Sequence, residues 1–198
     1  MQCIDYDTHM SYKIEAGVLR AAAAIMGEQG WNAVTLEAVA PRAGVSRATL
    51  YRRGVTLEGI AAGLAEAAAA GWKAAIWPAL TAPGDGAKRL ELAVRASCAA
   101  IDQHASVLVS GPNPVVDPRS TLPVQSGLGD VFVAPFARLL LDGASDGSLA
   151  PVSNPTITAT AIFTVLTHSY LALRGSGVDT ATATDALVAL ILGGSLPR

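Results

Sequence analysis

Residues 35–51, TLEAVAPRAGVSRATLY, constrain the fold of this chain more than any other stretch of its 198 residues. Thr35 and Ser46 are each placed to accept a backbone hydrogen bond at the start of a short helix. Gly44 lies between the two helical stretches, where the residue after a helix usually takes a left-handed conformation that favours glycine. This order of residues predicts a helix-turn-helix, with the second helix over residues 47–53.

The second helix of this motif is the candidate for contact with nucleic acid. Residues 42–53 contain four arginines and no acidic residue, in a chain whose net charge is −2. Side chains on such a helix reach base edges and phosphates when the helix lies in the major groove, whereas the alternative interpretation is a solvated basic face. The predicted DNA-binding residues are Thr35, Arg42, Ser46, Arg47, Thr49, Tyr51, Arg52 and Arg53.

The spacing of apolar residues predicts an all-α chain. Residues 12–29 place apolar side chains on one helical face and are followed by Gly30, a typical helix end. Later segments are rich in β-branched residues, but they lack the alternation of strands and are long for strands. Further helices are predicted at 56–77, 87–104, 128–141, 155–173 and 179–192, with Pro78 ending the first and a loop over 110–127.

Composition limits the other classes of function. Hydrophobic residues make up 51% of the chain and charged residues 15%, which predicts a buried core and argues against disorder. The two cysteines, Cys3 and Cys98, exclude a disulfide framework and a multi-cysteine zinc site. The three histidines lack ligand spacing. We therefore expect no metal and no cofactor.

A hydrolytic triad is the one enzymatic arrangement that the sequence suggests. Asp102 and His104 lie near Ser97 and Ser106 in the sequence. No nucleophile elbow and no strand–turn context accompanies them. We expect that the chain is not an enzyme; an all-α enzyme acting on an apolar substrate is the weakest of the alternatives.

Residues 147–173 contain no charged side chain, which raises the question of a membrane span. Pro151, Pro155, His168 and several threonines interrupt this stretch, so we predict a helix buried in protein. The first eleven residues contain Asp5 and Asp7 and neither lysine nor arginine, unlike a secretory signal. The expected location is the cytoplasm, with no membrane partner.

Residues around the helix-turn-helix complete a recognisable pattern. The matching residues are Gly30, Trp31, Thr35, Leu36, Val39, Ala40, Ala43, Gly44, Val45, Ser46, Thr49, Leu50, Tyr51, Thr56 and Glu58. With them, residues 30–60 resemble the N-terminal domain of the TetR family of bacterial transcriptional repressors. The resemblance implies a three-helix DNA-binding domain followed by a larger helical domain that binds a small molecule and dimerises. The expected divisions are a flexible segment at 1–11, the helix-turn-helix domain at 12–56 and the second domain at 57–198.

Three residues depart from the family pattern. Gly54 stands where the family usually has a phenylalanine that packs behind the recognition helix, and Leu57 replaces a lysine that meets a DNA phosphate. Pro41 lies inside the first short helix, where it is expected to disturb the preceding turn. These departures motivate an alternative: a ligand-binding helical protein of the same fold with weak or lost operator binding.

The resemblance implies a ligand site and a dimer in the second domain. Aromatic walls with a few polar groups are typical of ligand pockets, so the candidates are Trp72, Trp77, Cys98, Phe132, Phe136, Phe163, His168 and Tyr170. Few charges occur in this region, which indicates a mostly apolar ligand; Arg95, Asp102 and Arg174 are candidate anchors for a polar end. We expect the ligand to release operator DNA, and the last two helices, with Leu166 and Leu190, to form a homodimer.

Overall fold

The computed structural model of the protein describes residues 14–110 and 128–194. All regular structure in these ranges is helical, as predicted. The segment expected at 1–11 and residues 111–127 of the loop expected at 110–127 lie outside the described residues. The helices are α1 Ala16–Gln29, a 3-10 turn at Trp31–Ala33, α2 Leu36–Arg42, α3 Arg47–Arg52, α4 Leu57–Thr81, α5 Gly86–Ser110, α6 Leu128–Asp146, α7 Pro155–Gly175 and α8 Thr180–Gly193.

The local signals around the helix-turn-helix act as predicted. The hydroxyl oxygens of Thr35, Ser46 and Thr56 accept hydrogen bonds of 3.0–3.1 Å from backbone N–H groups three residues later, at the starts of α2, α3 and α4. Gly44 has a φ of +70° and follows α2, and the Val45 N–H donates to the Ala40 carbonyl over 3.0 Å. A glycine in this conformation closes the end of α2 and lets α3 begin soon afterwards.

Two hydrophobic clusters form the core, and α4 contributes to both. The N-terminal cluster joins α1, α2, α3 and the start of α4, with Leu50 of α3 and Ile60 of α4 fully buried in it. The C-terminal cluster joins the rest of α4 to α5–α8 and includes Trp72 and Ile76. One continuous helix of 25 residues therefore connects the recognition motif to the larger helical core.

Several predicted helix ends were wrong. The first helix begins at Ala16 rather than at residue 12, α5 continues to Ser110 rather than residue 104, and α6 continues to Asp146 rather than residue 141. The fourth helix continues through Pro78 to Thr81. A proline inside a helix removes one N–H donor, so Pro78 leaves one carbonyl without its helical partner while the next turn continues.

Pro41 also lies within an unbroken helix. The sequence predicts a disturbed turn before it, but α2 is continuous over Leu36–Arg42. Pro41 is the sixth residue of a helix of seven, and the end of α2 keeps its other bonds: the Ala43 N–H donates to the Val39 carbonyl over 2.8 Å. The proline therefore removes only one hydrogen bond from a helix that is closed at both ends.

Candidate DNA-binding surface and ligand-binding core

The recognition helix α3 is fixed to the protein by one side and exposed on the other. Leu50 is fully buried in the N-terminal cluster and anchors the helix. Arg47, Tyr51 and Arg52 are exposed on the rest of its surface. A helix of six residues thus presents two cations and a phenol on the side that does not pack against the protein.

Arg47 is held in place by two neighbours. Its Nη2 lies 2.6 Å from Oε1 of Glu37 on α2 and donates a 3.0 Å hydrogen bond to the hydroxyl of Tyr51. The guanidinium also lies 5.2 Å from the centroid of the Tyr51 ring. The hydrogen bond with Tyr51 is the main cause of a raised Arg47 pKa. Arg47 and Tyr51 therefore form one preorganised exposed pair.

The arginine cluster is largely neutralised by acidic residues that lie outside it in sequence. Arg42 lies 2.6 Å from Glu28, and Arg53 lies 2.7 Å from Glu15, both on or beside α1. Arg52 has no ion-pair partner in the part of the chain that the structure describes. Exposed ion pairs contribute about 0–1 kcal/mol, so a DNA phosphate can replace their carboxylates at small cost.

Thr35, Ser46 and Thr49 form hydrogen bonds within the protein on this surface. Thr35 and Ser46 cap α2 and α3, and Ser46 Oγ lies 2.8 Å from the hydroxyl oxygen of Thr49. A hydroxyl that accepts one hydrogen bond keeps a proton that it can donate. Capping is therefore compatible with the DNA contacts predicted for these residues, which stay predictions.

Gly54 and Leu57, the two residues after Tyr51 that differ from the family pattern, have different surroundings. Gly54 has a φ of +65° and follows α3, and the Val55 N–H donates to the Leu50 carbonyl over 3.1 Å. A cleft of about 340 Å³ lies beside Gly54, so the missing large side chain leaves open space. Leu57, the first residue of α4, is half-buried and packs against the N-terminal cluster.

Four of the predicted ligand-binding residues come together in the C-terminal cluster. The ring centroid of Trp72 on α4 lies 5.5 Å from Phe132 and 6.3 Å from Phe136 on α6, and 5.3 Å from Phe163 on α7. Phe132 and Phe163 stack on each other with centroids 5.3 Å apart. We call these four residues the aromatic cluster.

Tyr170 and Cys98 are buried elsewhere in the same core. The Tyr170 hydroxyl donates a 2.7 Å hydrogen bond to Asp102 of α5, and burial, followed by this bond, raises the pKa of Tyr170 to about 12. Burial also raises the pKa of the Cys98 thiol to about 11, so the thiol is neutral and unreactive.

The charged residues proposed as ligand anchors bind each other or their neighbours. Asp102 receives hydrogen bonds from Tyr170, from Arg174 Nε over 3.3 Å and from Thr180 over 3.2 Å. Arg174 also donates to the carbonyl of Val178. This arrangement, which we call the Asp102 clamp, joins α5, α7 and the start of α8. Its members are therefore engaged in holding helices together.

Arg95 is engaged in the same way. Its Nε lies 2.9 Å from Glu91 on the same helix, and its Nη1 lies 2.7 Å from Asp185 on α8. The guanidinium therefore spans from α5 to α8 on the protein surface. Each of the three anchors proposed from the sequence, Arg95, Asp102 and Arg174, is therefore paired with another charged residue.

Trp77 and His168 are separate from the aromatic cluster. The side chain of Trp77 is 57% exposed and lines a surface groove between α4 and α6. His168 is exposed on α7, where its Nδ1 lies 3.0 Å from the Thr164 carbonyl oxygen. The predicted set of ligand residues thus divides into a buried group and two surface positions.

The groove between α4 and α6 adds a residue that sequence reasoning missed. Its volume is about 410 Å³, and its lining is apolar except for Lys73. Lys73 has no ion-pair partner among the residues described. Its spacing from Trp77 is i, i+4, which places both on one helical face and was a signal available in the sequence. The lining residues are Lys73, Ile76, Trp77, Leu80, Val131, Ala134 and Pro135.

Two further features concern metals and membranes. Within residues 14–110 and 128–194, no group of three metal-ligating side chains is assembled.

By length and composition alone, α7 could cross a membrane. In the fold, however, Phe163, Leu166 and Tyr170 are buried against the other helices, so one face of α7 belongs to the core.

Residues 18–53 match the family model of bacterial regulatory proteins of the tetR family. The match extends from α1 to the residue after α3. It therefore covers the helix-turn-helix and the helix packed behind it. Among curated protein sequences, none matches the chain.

Solved structures of the same fold cover nearly the whole chain. The TetR family regulator PfmR from Thermus thermophilus is 23% identical with a TM-score of 0.73, covering 91% of this chain and 99% of its own. The ketosteroid regulator KstR2 of Mycobacterium tuberculosis is 21% identical with a TM-score of 0.71, covering 91% and 94%. The regulator FadR from Bacillus subtilis in complex with stearoyl-CoA is 13% identical with a TM-score of 0.76, covering 90% and 97%. All three are described as transcriptional regulators.

Proposed function

We propose that this chain, which has the fold and the N-terminal helix-turn-helix of the TetR family of transcriptional regulators, is a repressor that a small, mostly apolar ligand releases from its operator. It would act in the cytoplasm, where it meets DNA. The observation that carries the proposal is α3, which presents Arg47, Tyr51 and Arg52 on the exposed side of a matched DNA-binding motif. The pairing of Arg47 with Tyr51 positions a cation and a donor together for base or phosphate contact.

A homodimer through α7 and α8 would give two recognition helices for one operator. The exposed side of α7 carries Ile157 and Val165 and no charged residue before Arg174, and Leu190 of α8 is also exposed. An uncharged apolar face of this kind supports an interface. Two such chains would place their recognition helices in successive major grooves, about 34–36 Å apart.

The aromatic cluster supports an apolar effector. Its four rings offer large apolar surfaces, and the charged side chain that lines the neighbouring groove is Lys73. Two of the structural neighbours are a ketosteroid regulator and a regulator in complex with stearoyl-CoA. An effector with a large apolar part is therefore the class that we propose for this chain.

The long helix α4 is the element through which we propose that ligand and operator are coupled. Trp72 of α4 belongs to the aromatic cluster, while Ile60 and Leu64 of the same helix pack in the N-terminal cluster. A ligand that favours one position of Trp72 would shift the start of α4 and, with it, α3. Such a ligand acts only through its different affinities for the two positions.

The alternative function is ligand binding without effective operator binding. The observation that favours it is that Arg42, Arg47 and Arg53 are already paired with glutamates. Selection from a random duplex library at moderate salt separates the two. Enrichment of a near-palindromic sequence by the wild type, and none by the Arg47→Ala, Arg52→Ala double variant, supports the repressor. Failure of the wild type to enrich any sequence supports the alternative.

A further inference from the structure

The indole N–H of Trp72 is a buried donor without an acceptor. Trp72 is only 3% exposed, and its Nε1 has no hydrogen-bond partner within the described chain. The other buried donor of this kind among the described residues, Arg89 Nε, belongs to a guanidinium that already pairs with Asp142. Buried polar groups in proteins are nearly always hydrogen-bonded, so the Trp72 N–H requires an explanation.

The ring contacts of Trp72 are with three phenylalanines. Phe132 and Phe163 meet the indole edge-on at 5.3–5.5 Å, and Phe136 lies at 6.3 Å. An indole nitrogen is a donor only, so its partner has to supply an acceptor. The four rings supply the apolar surface that a ligand body would contact.

The seam between α4 and α6 joins this cluster to the surface groove. Ile76 belongs both to the buried core and to the lining of the groove. Pro135 of α6 also lines the groove and has no N–H to donate to the carbonyl of Val131, one turn earlier in the same lining. The groove therefore borders the buried core at Ile76, beside a turn of α6 in which one carbonyl lacks its usual helical partner.

We propose that the Trp72 N–H determines ligand specificity by donating to an oxygen acceptor, such as a ketone, ester or amide carbonyl, on an otherwise apolar effector. The inference rests on the proposed function for its biological meaning, since the effector is the molecule that would release DNA. It adds to that function a required chemical group and the residue that recognises it.

The test uses two probes that differ by one oxygen: benzophenone, and diphenylmethane, in which a CH₂ replaces the carbonyl. Both carry two rings suited to an aromatic cluster. Isothermal titration calorimetry of the full chain compares their affinities. Because one neutral hydrogen bond contributes about 1 kcal/mol, wild type should bind benzophenone roughly five- to tenfold more tightly. Trp72→Phe keeps a ring without the N–H and should reduce this preference to about twofold or less.

Trp31→Phe is the matched control, because Trp31 packs against the N-terminal cluster rather than the C-terminal one and its replacement leaves the buried donor in place. It should keep the wild-type preference. Equal wild-type affinities, an unchanged preference in Trp72→Phe, or no binding of either probe at its solubility limit would each overturn the proposal.

A second measurement on the folded protein does not depend on Trp72→Phe being stable. The chain has three tryptophans, so Trp31→Phe and Trp77→Phe identify the Trp72 indole N–H in a proton–nitrogen NMR spectrum by elimination. Benzophenone should shift this resonance downfield, while diphenylmethane should not. Equal shifts with both probes would contradict the hydrogen bond. Neither experiment contains DNA, so a positive result together with failed operator selection would reject the repressor and leave the ligand site standing.

Discussion

At the scale of single residues, Arg52 is the simplest probe of the DNA-binding surface. It is exposed on α3 and has no ion-pair partner in the described ranges, so Arg52→Ala removes a charge without releasing a carboxylate. We expect a loss of about 1–3 kcal/mol on a selected duplex if Arg52 contacts a base. If it contacts a phosphate, the variant binds all duplexes more weakly by the same factor. The slope of the logarithm of the binding constant against the logarithm of salt concentration then becomes shallower by about one. Fluorescence anisotropy titrations at several salt concentrations measure both quantities.

The control for charge is Arg138→Ala. Arg138 is an exposed arginine of α6 that pairs with Asp142, far from α3 in the sequence. Arg138→Ala changes the net charge by the same amount as Arg52→Ala. If Arg52→Ala binds DNA no more weakly than Arg138→Ala, Arg52 does not face the duplex. Arg47→Ala should also weaken binding, partly because it leaves the Glu37 carboxylate unpaired beside the phosphates.

Leu57→Lys tests the departure at the start of α4. We predict tighter DNA binding with unchanged sequence preference and a salt slope steeper by about one unit, from one added phosphate contact. Leu57 is half-buried, but a lysine can keep its stem on the apolar surface and extend its ammonium into solvent. Leu57→Met is the matched control, since it keeps an unbranched stem without the charge. Identical salt slopes for the two variants would show that residue 57 does not face DNA.

At the scale of helices, the Asp102 clamp makes folding stability depend on pH. Burial raises the pKa of Asp102, but hydrogen bonds from Tyr170, Arg174 and Thr180 together lower it by more, so the net shift is downward. A carboxylate with a lowered folded pKa stabilises the protein above its unfolded pKa of about 3.9. This contribution is lost as the pH falls through the folded pKa.

The corresponding variant is Asp102→Asn, which keeps the shape but does not titrate. We expect the free energy of unfolding of the wild type to fall more steeply below about pH 4 than that of Asp102→Asn. Urea unfolding followed by circular dichroism between about pH 5 and about pH 3 gives both curves. Parallel curves would mean that the clamp does not act through the charge of Asp102.

The helix-turn-helix was predictable because its signals are local. Thr35, Gly44 and Ser46 each act close to their own position in the chain, through a cap or a left-handed φ. The end of α4 was not predictable from Pro78 alone, since the loss of one hydrogen bond is outweighed by the packing of neighbouring residues such as Ile76 and Ala79 in the core.

The charge state of the DNA-binding surface depends on tertiary structure. Arg53 meets Glu15 and Arg42 meets Glu28 only after α1 packs across the motif. A charge count within residues 42–53 therefore overstates the free positive charge there. Whether an aromatic residue is buried or exposed also depends on tertiary structure. Trp72 and Trp77 lie on the same helix, and only the helical face that carries Trp72 is covered by α6 and α7.

At the scale of the whole molecule, the proposed dimer gives a clear contrast between two leucines. The sequence places both Leu166 and Leu190 at the expected interface, but Leu166 is fully buried within the protomer. Leu190 is 60% exposed on α8. We predict that Leu190→Glu splits the dimer and leaves the protomer folded, because a carboxylate in an apolar interface loses its hydration. Leu166→Glu should instead unfold the protomer.

Leu141→Glu is the control for the dimer test. Leu141 is 54% exposed, but it lies on α6 rather than on α7 or α8. Light scattering with size-exclusion chromatography gives the mass, and circular dichroism checks the fold. We expect a dimer for Leu141→Glu and a folded monomer for Leu190→Glu. A wild type that is already monomeric at micromolar concentration would remove the two-helix operator arrangement.

Under the proposed function, α3 binds a specific operator as part of a dimer. The most direct measurement is a stoichiometric titration of a selected near-palindromic duplex, by anisotropy at moderate salt, with the wild type and the Arg47→Ala, Arg52→Ala double variant. We expect two wild-type chains per duplex, on half-sites about 10 base pairs apart, and much weaker binding by the double variant. Equal binding by the two proteins, or wild-type binding that does not distinguish the selected duplex from a random one, would contradict it.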